Sequence, residues 1–289
     1  MSDERCGKLF RYGLVCALEP LPDSKPVAFR GEIEAVAAAT RAAGYDALEL
    51  HLQSPRQYDA QRLKQAAASE GLAFCAISTG LEYLNNGLSL ISEDAGIRSA
   101  AISRLREHID LCAQLDCLLV VGTMRAQIPD PDRRRRCETW LSEALLELAA
   151  YGREQGVGLV VESIMRYITN YLNTVPETVD YLRRLAQPNL TLHIDTHSMI
   201  VEDPDPAAAI RYASSDIGYV HFSDSNRRFP GGGSVDFKSI MAALLEIGYA
   251  GYIGLECIPW PDAWQCAKLG LDYVRALETC LRIEALRRK

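Results

Sequence analysis

Four residues of this chain share a setting that favours metal chemistry. Glu162 follows Gly-Leu-Val-Val, Asp195 follows Leu-His-Ile, His221 follows Gly-Tyr-Val, and Glu256 follows Tyr-Ile-Gly-Leu. Short apolar runs rich in β-branched and aromatic residues read as buried strands. A carboxylate at the end of such a strand is costly unless the strand opens into a site that gives it a partner. Taken singly, an Asp after a strand also serves as a helix N-cap, and a buried His is often simply hydrogen-bonded. Taken together, three carboxylates and one imidazole form a mainly hard donor set. Such a set suits Mn2+, with Mg2+, Co2+ or Zn2+ as alternatives.

For the four to act as one site, their strands must be neighbours. Hydrophobic patterning predicts strands over 11–18, 46–51, 72–78, 117–122, 158–163, 190–195, 217–223 and 251–257. It predicts helices over 31–43, 59–70, 94–115, 132–154, 176–186, 206–213, 236–247 and 263–287. Gly44 and Gly71 follow two of these helices as C-terminal caps, Pro176 suits a first turn, and Asp236 suits an N-cap. Runs such as Cys-Leu-Leu-Val-Val-Gly are apolar on both faces, as parallel strands covered by helices are. Eight βα units in about 250 residues are the signature of a (β/α)8 TIM barrel, expected here as a single domain over 1–289. A doubly wound open sheet is the competing architecture, and it would scatter the four residues along an edge. In a barrel they stand at the C-terminal ends of the last four strands and converge on one quadrant of the mouth.

Composition narrows the function classes. The chain has 289 residues, 48% hydrophobic and 24% charged, with a net charge of −7. That balance offers no electrostatic footprint for nucleic acid. The basic run Arg133–Arg136 is bracketed by Asp130, Asp132 and Glu138 and reads as a solvated helix face. No window holds about 18 consecutive apolar residues, so no membrane span is expected. The start, MSDERCGKLF, is charged and lacks an apolar signal core. Cys6, Cys16, Cys75, Cys112, Cys117, Cys137, Cys257, Cys266 and Cys280 are odd in number and form no Cys-x-x-Cys pair. They read as reduced, mostly buried thiols of a cytoplasmic protein.

At the strand ends the chain resembles a known group. VVES…RY…NYLNT, IDTHSMIVED, HFSDSNR-x-x-PGGGSVDF and GLEC-x-P-x-P are similar to segments of the xylose isomerase-like sugar isomerase/epimerase barrels. CAISTGLEYLNNGLSL and LLVVGTMR are similar to the branch of ketose 3-epimerases and 5-keto-L-gluconate epimerase. The resemblance implies a metal held by Glu162, Asp195, His221 and Glu256. It also implies that Glu162 and Glu256 carry protons to opposite faces of the substrate, through a cis-enediolate. Arg227 matches the arginine that contacts the enediolate oxygens. A keto sugar or keto sugar acid as the small-molecule sugar substrate and a homodimer or homotetramer are likewise implied.

Departures from that pattern bear on the substrate. Ser198 stands where the family has a substrate-contacting histidine, and His197 sits one residue earlier. Met165 and Ile168 replace polar residues of the Glu162 motif, and Arg125-Ala126 replaces Arg-Gly after the fourth strand. These changes point to altered substrate contacts around conserved chemistry, and they raise a second reading, metal-dependent cleavage of a 3-oxo-glycoside. A third is a sugar-binding barrel without activity. Glu49 and His51 at the end of the second strand are further candidates, either as substrate contacts or as supports behind the metal-holding residues; Ser198 and Trp260 are candidate substrate contacts, and Pro259 could wall the pocket beside Trp260. His193 shares a strand face with Asp195 and is placed inside the barrel beneath the metal. His108 lies on a helix and is expected at the surface. Gly231–Gly233 reads as a turn shaping the mouth, since it lacks the lysine of a phosphate loop.

Overall fold

The computed structural model describes residues 8–287. The N-terminal stretch with Cys6 lies outside the described residues. Eight strands form the barrel: β1 Arg11–Ala17, β2 Ala47–His51, β3 Ala73–Ser78, β4 Leu118–Val121, β5 Leu159–Glu162, β6 Leu190–Asp195, β7 Ile217–Phe222 and β8 Tyr252–Leu255. All pairings are parallel and follow chain order. The barrel closes where Arg11–Leu14 of β1 pairs with Tyr252–Leu255 of β8. A two-residue strand, Phe29–Arg30, adds to β1 outside the ring. The barrel expected from the sequence is therefore the one found, and the open sheet is excluded by the closing pair.

The helices are α1 Ile33–Ala43, α2 Ala60–Ser69, α3 Gly80–Asn86, α4 Ala95–Leu115, α5 Arg134–Gln155, α6 Val175–Leu185, α7 Thr196–Glu202, α8 Pro206–Ala213, α9 Phe237–Glu246 and α10 Ala263–Arg287. Local chemistry fixes their starts. The side chains of Asp59, Asp94, Thr174, Asp205 and Asp236 each accept a backbone N–H of the first turn. Gly44 ends α1 at φ 100°, a conformation that costs a side-chain-bearing residue free energy.

The short helices α3 and α7 were not separable from loop by pattern, because each is only seven residues long. Both lie at the C-terminal end of the barrel, right after β3 and β6. His108 is corrected by the structure: it is fully buried. Its helix, α4, sits between α2 and α5, and the His108 ring faces Glu82 of α3 at 3.7 Å. A helix covered on both flanks has little surface face left. The eight described cysteines are free thiols, buried except for half-buried Cys117 and exposed Cys280. Arg133–Arg136 are exposed, as expected.

Two irregularities shape the barrel interior. Pairing skips Cys75 between β2 and β3, and skips Gly218 between β6 and β7. An extra residue in one strand bends it and re-aims its neighbours. Gly218 has no room for a side chain, since a Cβ there would lie 2.0 Å from Thr191 Oγ1. The first irregularity falls at Glu49 and the second at His193, both beneath the site.

Candidate active site

The site is assembled from strand ends. Asp195 closes β6, His221 lies in β7, and Glu256 follows β8. In the sheet Asp195 pairs with His221, and His221 pairs with Gly254. Alternation then places Asp195, His221 and Glu256 on the inner face, with Glu256 one step nearer the mouth. One donor atom from each lies within 4.8 Å of the others, and all three residues are buried.

These three residues fit a divalent cation by an observation independent of pattern. The Nε2 of His221 is 2.7 Å from Glu49 Oε2. The other ring nitrogen, Nδ1, is buried without a hydrogen-bond partner and faces Glu256 Oε2 at 3.6 Å. With Nε2–H donating to Glu49, Nδ1 faces the carboxylates and offers its lone pair there once deprotonated. That is the arrangement of a histidine oriented for a metal by a carboxylate behind it.

Glu49 is fully buried. It accepts from Ser78 Oγ at 2.5 Å, from Tyr219 Oη at 2.6 Å and from His221. Burial would push its carboxyl up, but His221 and then His51 hold it well below the usual carboxylate range. It does not line the cavity at the mouth. The structure therefore places Glu49 under His221 and outside the cavity lining, the supporting one of the two roles that the strand end left open. Gly254 makes the packing possible, since a Cβ there would lie 2.4 Å from Tyr219 Oη and 3.1 Å from Glu49 Oε2. His193 stacks edge-on to His221, with ring centroids 4.3 Å apart, and is fully buried with both nitrogens unpaired. Burial and the neighbouring His221 push its pKa well down, so it stays neutral.

Above the triad lies a cavity of about 830 Å³, including its open mouth, lined by Glu162, Asp195, His221, Glu256, His51, Ser198 and Arg227 among others. Glu162 lines this cavity but stands outside the three-residue donor cluster. Its carboxyl is pushed up to about 8, first by withdrawal from water and then by the charges of Glu256 and Asp195. Gly122 at the end of β4 leaves it room, since a Cβ there would lie 2.6 Å from Glu162 Oε2. Arg125 is fully buried and fixes the strand end from outside, donating to the carbonyls of Glu162, Tyr171 and Leu172. For Glu256 burial alone would raise the pKa, but Arg227 and then His221 hold it down at about 2.

Arg227 forks between Asp195 and Glu256, donating one nitrogen to each carboxylate. Its backbone sits at φ 62°, a left-handed conformation costing about 1–2 kcal/mol for a residue with a Cβ. The turn around it is over-determined. Asp224 accepts from Ser225, Gly231 and Val235, and the Arg227 N–H and C=O bond to Asp224 and Ile258. Gly231–Gly233 thus shape the mouth from behind, and a Cβ on Gly233 would strike Asp224.

The other expected contacts divide. His51 lines the cavity, with Nε2 3.5 Å from Glu256 Oε1. Ser198 lines it too, with its hydroxyl accepting the Met165 N–H at 3.3 Å. His197 turns away, Nδ1 being 3.0 Å from the Asp224 carbonyl. Trp260 is half-exposed, lies outside the cavity lining and stacks under the Arg228 guanidinium at 3.7 Å. Pro259 likewise lies outside that lining. Met165 and Ile168 do line the cavity, with Ile164, Leu81 and Leu84. Ser78 and Tyr219 were missed by sequence reasoning, although Tyr219, two residues before His221, shares its strand face.

Residues 37–273 match the xylose isomerase-like TIM barrel family. The chain belongs to this family. It is 33% identical over 231 residues to L-ribulose 3-epimerase of Mesorhizobium japonicum, covering 78% of this chain and 76% of that one. It is 33% identical to the ketose 3-epimerase of Arthrobacter globiformis, over 75% and 74% of the two chains. A solved structure of L-ribulose 3-epimerase superposes with a TM-score of 0.83 at 27% identity, covering 97% of this chain and 99% of that one. These family members are epimerases, that is, carbohydrate isomerases. Among the described residues no helix is long and apolar enough to cross a membrane.

Proposed function

We propose that the chain is a divalent-metal-dependent epimerase of a keto sugar, working by proton transfer between Glu162 and Glu256. One observation carries the reading: Glu162 at the end of β5 and Glu256 just after β8 line a single cavity with the Asp195–His221–Glu256 donor set. Inverting a carbon takes two acid/base groups on opposite sides of it, and carboxylates on two different strand ends of one cavity can supply them. When bound, a divalent cation supplies electrophilic stabilisation of the substrate oxygens, and Mn2+ suits the donor set best.

The residues then have distinct tasks. Glu256, held ionised by Arg227, removes the proton next to the ketone. Glu162, the fourth candidate ligand, returns one to the opposite face, which inverts the carbon. Arg227 offers a fixed guanidinium to the developing enediolate, a charge the ketose lacks and the intermediate has. His51 and Ser198 sit where they contact sugar hydroxyls.

The test is incubation of the Mn2+-loaded protein with a panel of keto sugars in deuterated water. Deuterium at the carbon beside the ketone, with formation of the epimer, is expected. Glu256→Gln and Glu162→Gln should each lower turnover by about 10²–10⁴-fold. Full activity in either variant removes the two-glutamate mechanism.

The apolar wall of Leu81, Leu84, Ile164, Met165 and Ile168 favours a second reading, a keto-glycoside whose aglycone rests on that wall. Release of aglycone from a 3-oxo-glycoside would establish cleavage, and epimer formation alone would remove it.

A further inference from the structure

The epimerase chemistry leaves one cation of the cavity unused. Lys25 lines the cavity from the loop after β1. Its backbone is locked. Arg30 donates to the carbonyls of Leu21, Lys25 and Val27, the Lys25 N–H bonds to Pro22, and Val27 packs on Val15 and Ala17. Of the acids nearest in sequence, Asp23 pairs with Arg30 at 2.6 Å, and Glu19 accepts the Gln53 N–H through Oε1 at 3.0 Å while its Oε2 is buried without a partner. The Lys25 ammonium has no hydrogen bond or ion pair among the described residues. Arg227, the other Lys or Arg of the lining, is fully engaged by Asp195 and Glu256.

Charge counting sharpens the point. With Glu162 carrying its proton, Asp195 and Glu256 bring two negative charges, against one from Arg227 and two from a divalent cation. Lys25 then adds to a net positive cavity. Half-buried Lys25 lines the cavity beside Leu21, Pro26 and Val27, where an ammonium without a protein partner can pair with an anion entering the mouth.

We propose that Lys25 is a specificity-determining residue that binds an anionic substituent of the sugar, a carboxylate or a phosphate ester, away from the reacting ketone. This rests on the epimerase reading and names the substrate class.

The experiment is calorimetric titration of wild type, Lys25→Met and Lys25→Arg, all with Mn2+ present. The ligands are a neutral ketohexose, a keto sugar acid and a ketose phosphate of matched configuration. At least one anionic sugar should bind wild type about tenfold more tightly than the neutral one. The gap should close to within about twofold in Lys25→Met, persist in Lys25→Arg, and shrink as salt is added. Which anion shows the gap distinguishes carboxylate from phosphate. The proposal is overturned if wild type binds the neutral sugar as well as both anions, if the gap survives in Lys25→Met, or if neither anion binds. A Lys25-dependent gap without proton exchange in deuterated water supports this proposal and sinks the catalytic reading instead. Thermal unfolding of Lys25→Met should match wild type, since the ammonium has no protein partner to lose.

Discussion

Replacing Glu49 by Gln tests whether the layer beneath the triad sets metal affinity. Glu49 does not line the cavity, and its three hydrogen-bond partners all donate to it: Ser78 Oγ at 2.5 Å, Tyr219 Oη at 2.6 Å and His221 Nε2 at 2.7 Å. Glutamine keeps the shape and one acceptor oxygen but removes the charge. With that oxygen facing Tyr219 and His221, the amide nitrogen faces Ser78, whose hydroxyl can rotate to accept. The remaining loss is the charge assistance at His221. Hydrogen bonds to charged groups contribute about 1.5–3 kcal/mol, against about 0.5–1.5 for neutral pairs. The difference, about 1–1.5 kcal/mol, converts to about a tenfold weaker cation, within the range of about 10–100-fold seen for groups behind metal-bound histidines. The assay is calorimetric titration of Mn2+ into metal-free wild type and Glu49→Gln at neutral pH, with thermal unfolding as the control for folding. A dissociation constant within twofold of wild type in a folded variant would refute the orientation argument. Glu49→Ala is the wrong probe, because it strands three buried donors at about 1–3 kcal/mol each and threatens the fold itself.

Two further outcomes follow from the site. In the metal-free protein Glu162 is raised from 4.5 to about 8, and His221, despite burial, is raised well above 6.5 by Glu49 and Glu256. From pH 6.5 to 8 the folded state therefore holds protons that the unfolded state has lost. Unfolding free energy should fall as pH rises through this window, by up to about 1.4 kcal/mol per pH unit for each group, and saturating Mn2+ should flatten or reverse the slope. Denaturant melts across that range check it, and a metal-free stability that rises with pH contradicts the assignment. Gly122→Ala should leave the fold intact but lower turnover by about tenfold or more, because the added methyl enters the space of Glu162 Oε2 and displaces the proton carrier. Wild-type turnover in this variant would show that Glu162 has other room.

Much of this site was legible in the chain because strand ends carry their own signal. An apolar run closed by Glu162, Asp195, His221 or Glu256 states a cost that only a partner relieves, and eight βα units leave few ways to provide one. Period-two alternation even located His193 inside the barrel. What the chain could not convey is which neighbour each side chain meets. Glu49 ends its strand as either a substrate contact or a support, and the skipped pairing at Cys75 helps set it beneath the floor, where Tyr219 and His221 surround it. Trp260 looked like a pocket wall until the turn after β8 laid it against Arg228. His108 carries the pattern of a surface helix and is buried only because α4 is covered by neighbours far away in sequence. Lys25 sits in a proline-rich loop with no periodicity at all, and Arg30 holds it at the mouth. Local sequence determines which atoms are costly to bury. Closure of the barrel decides which of them share a cavity, since that depends on contacts made across the ring rather than along the chain.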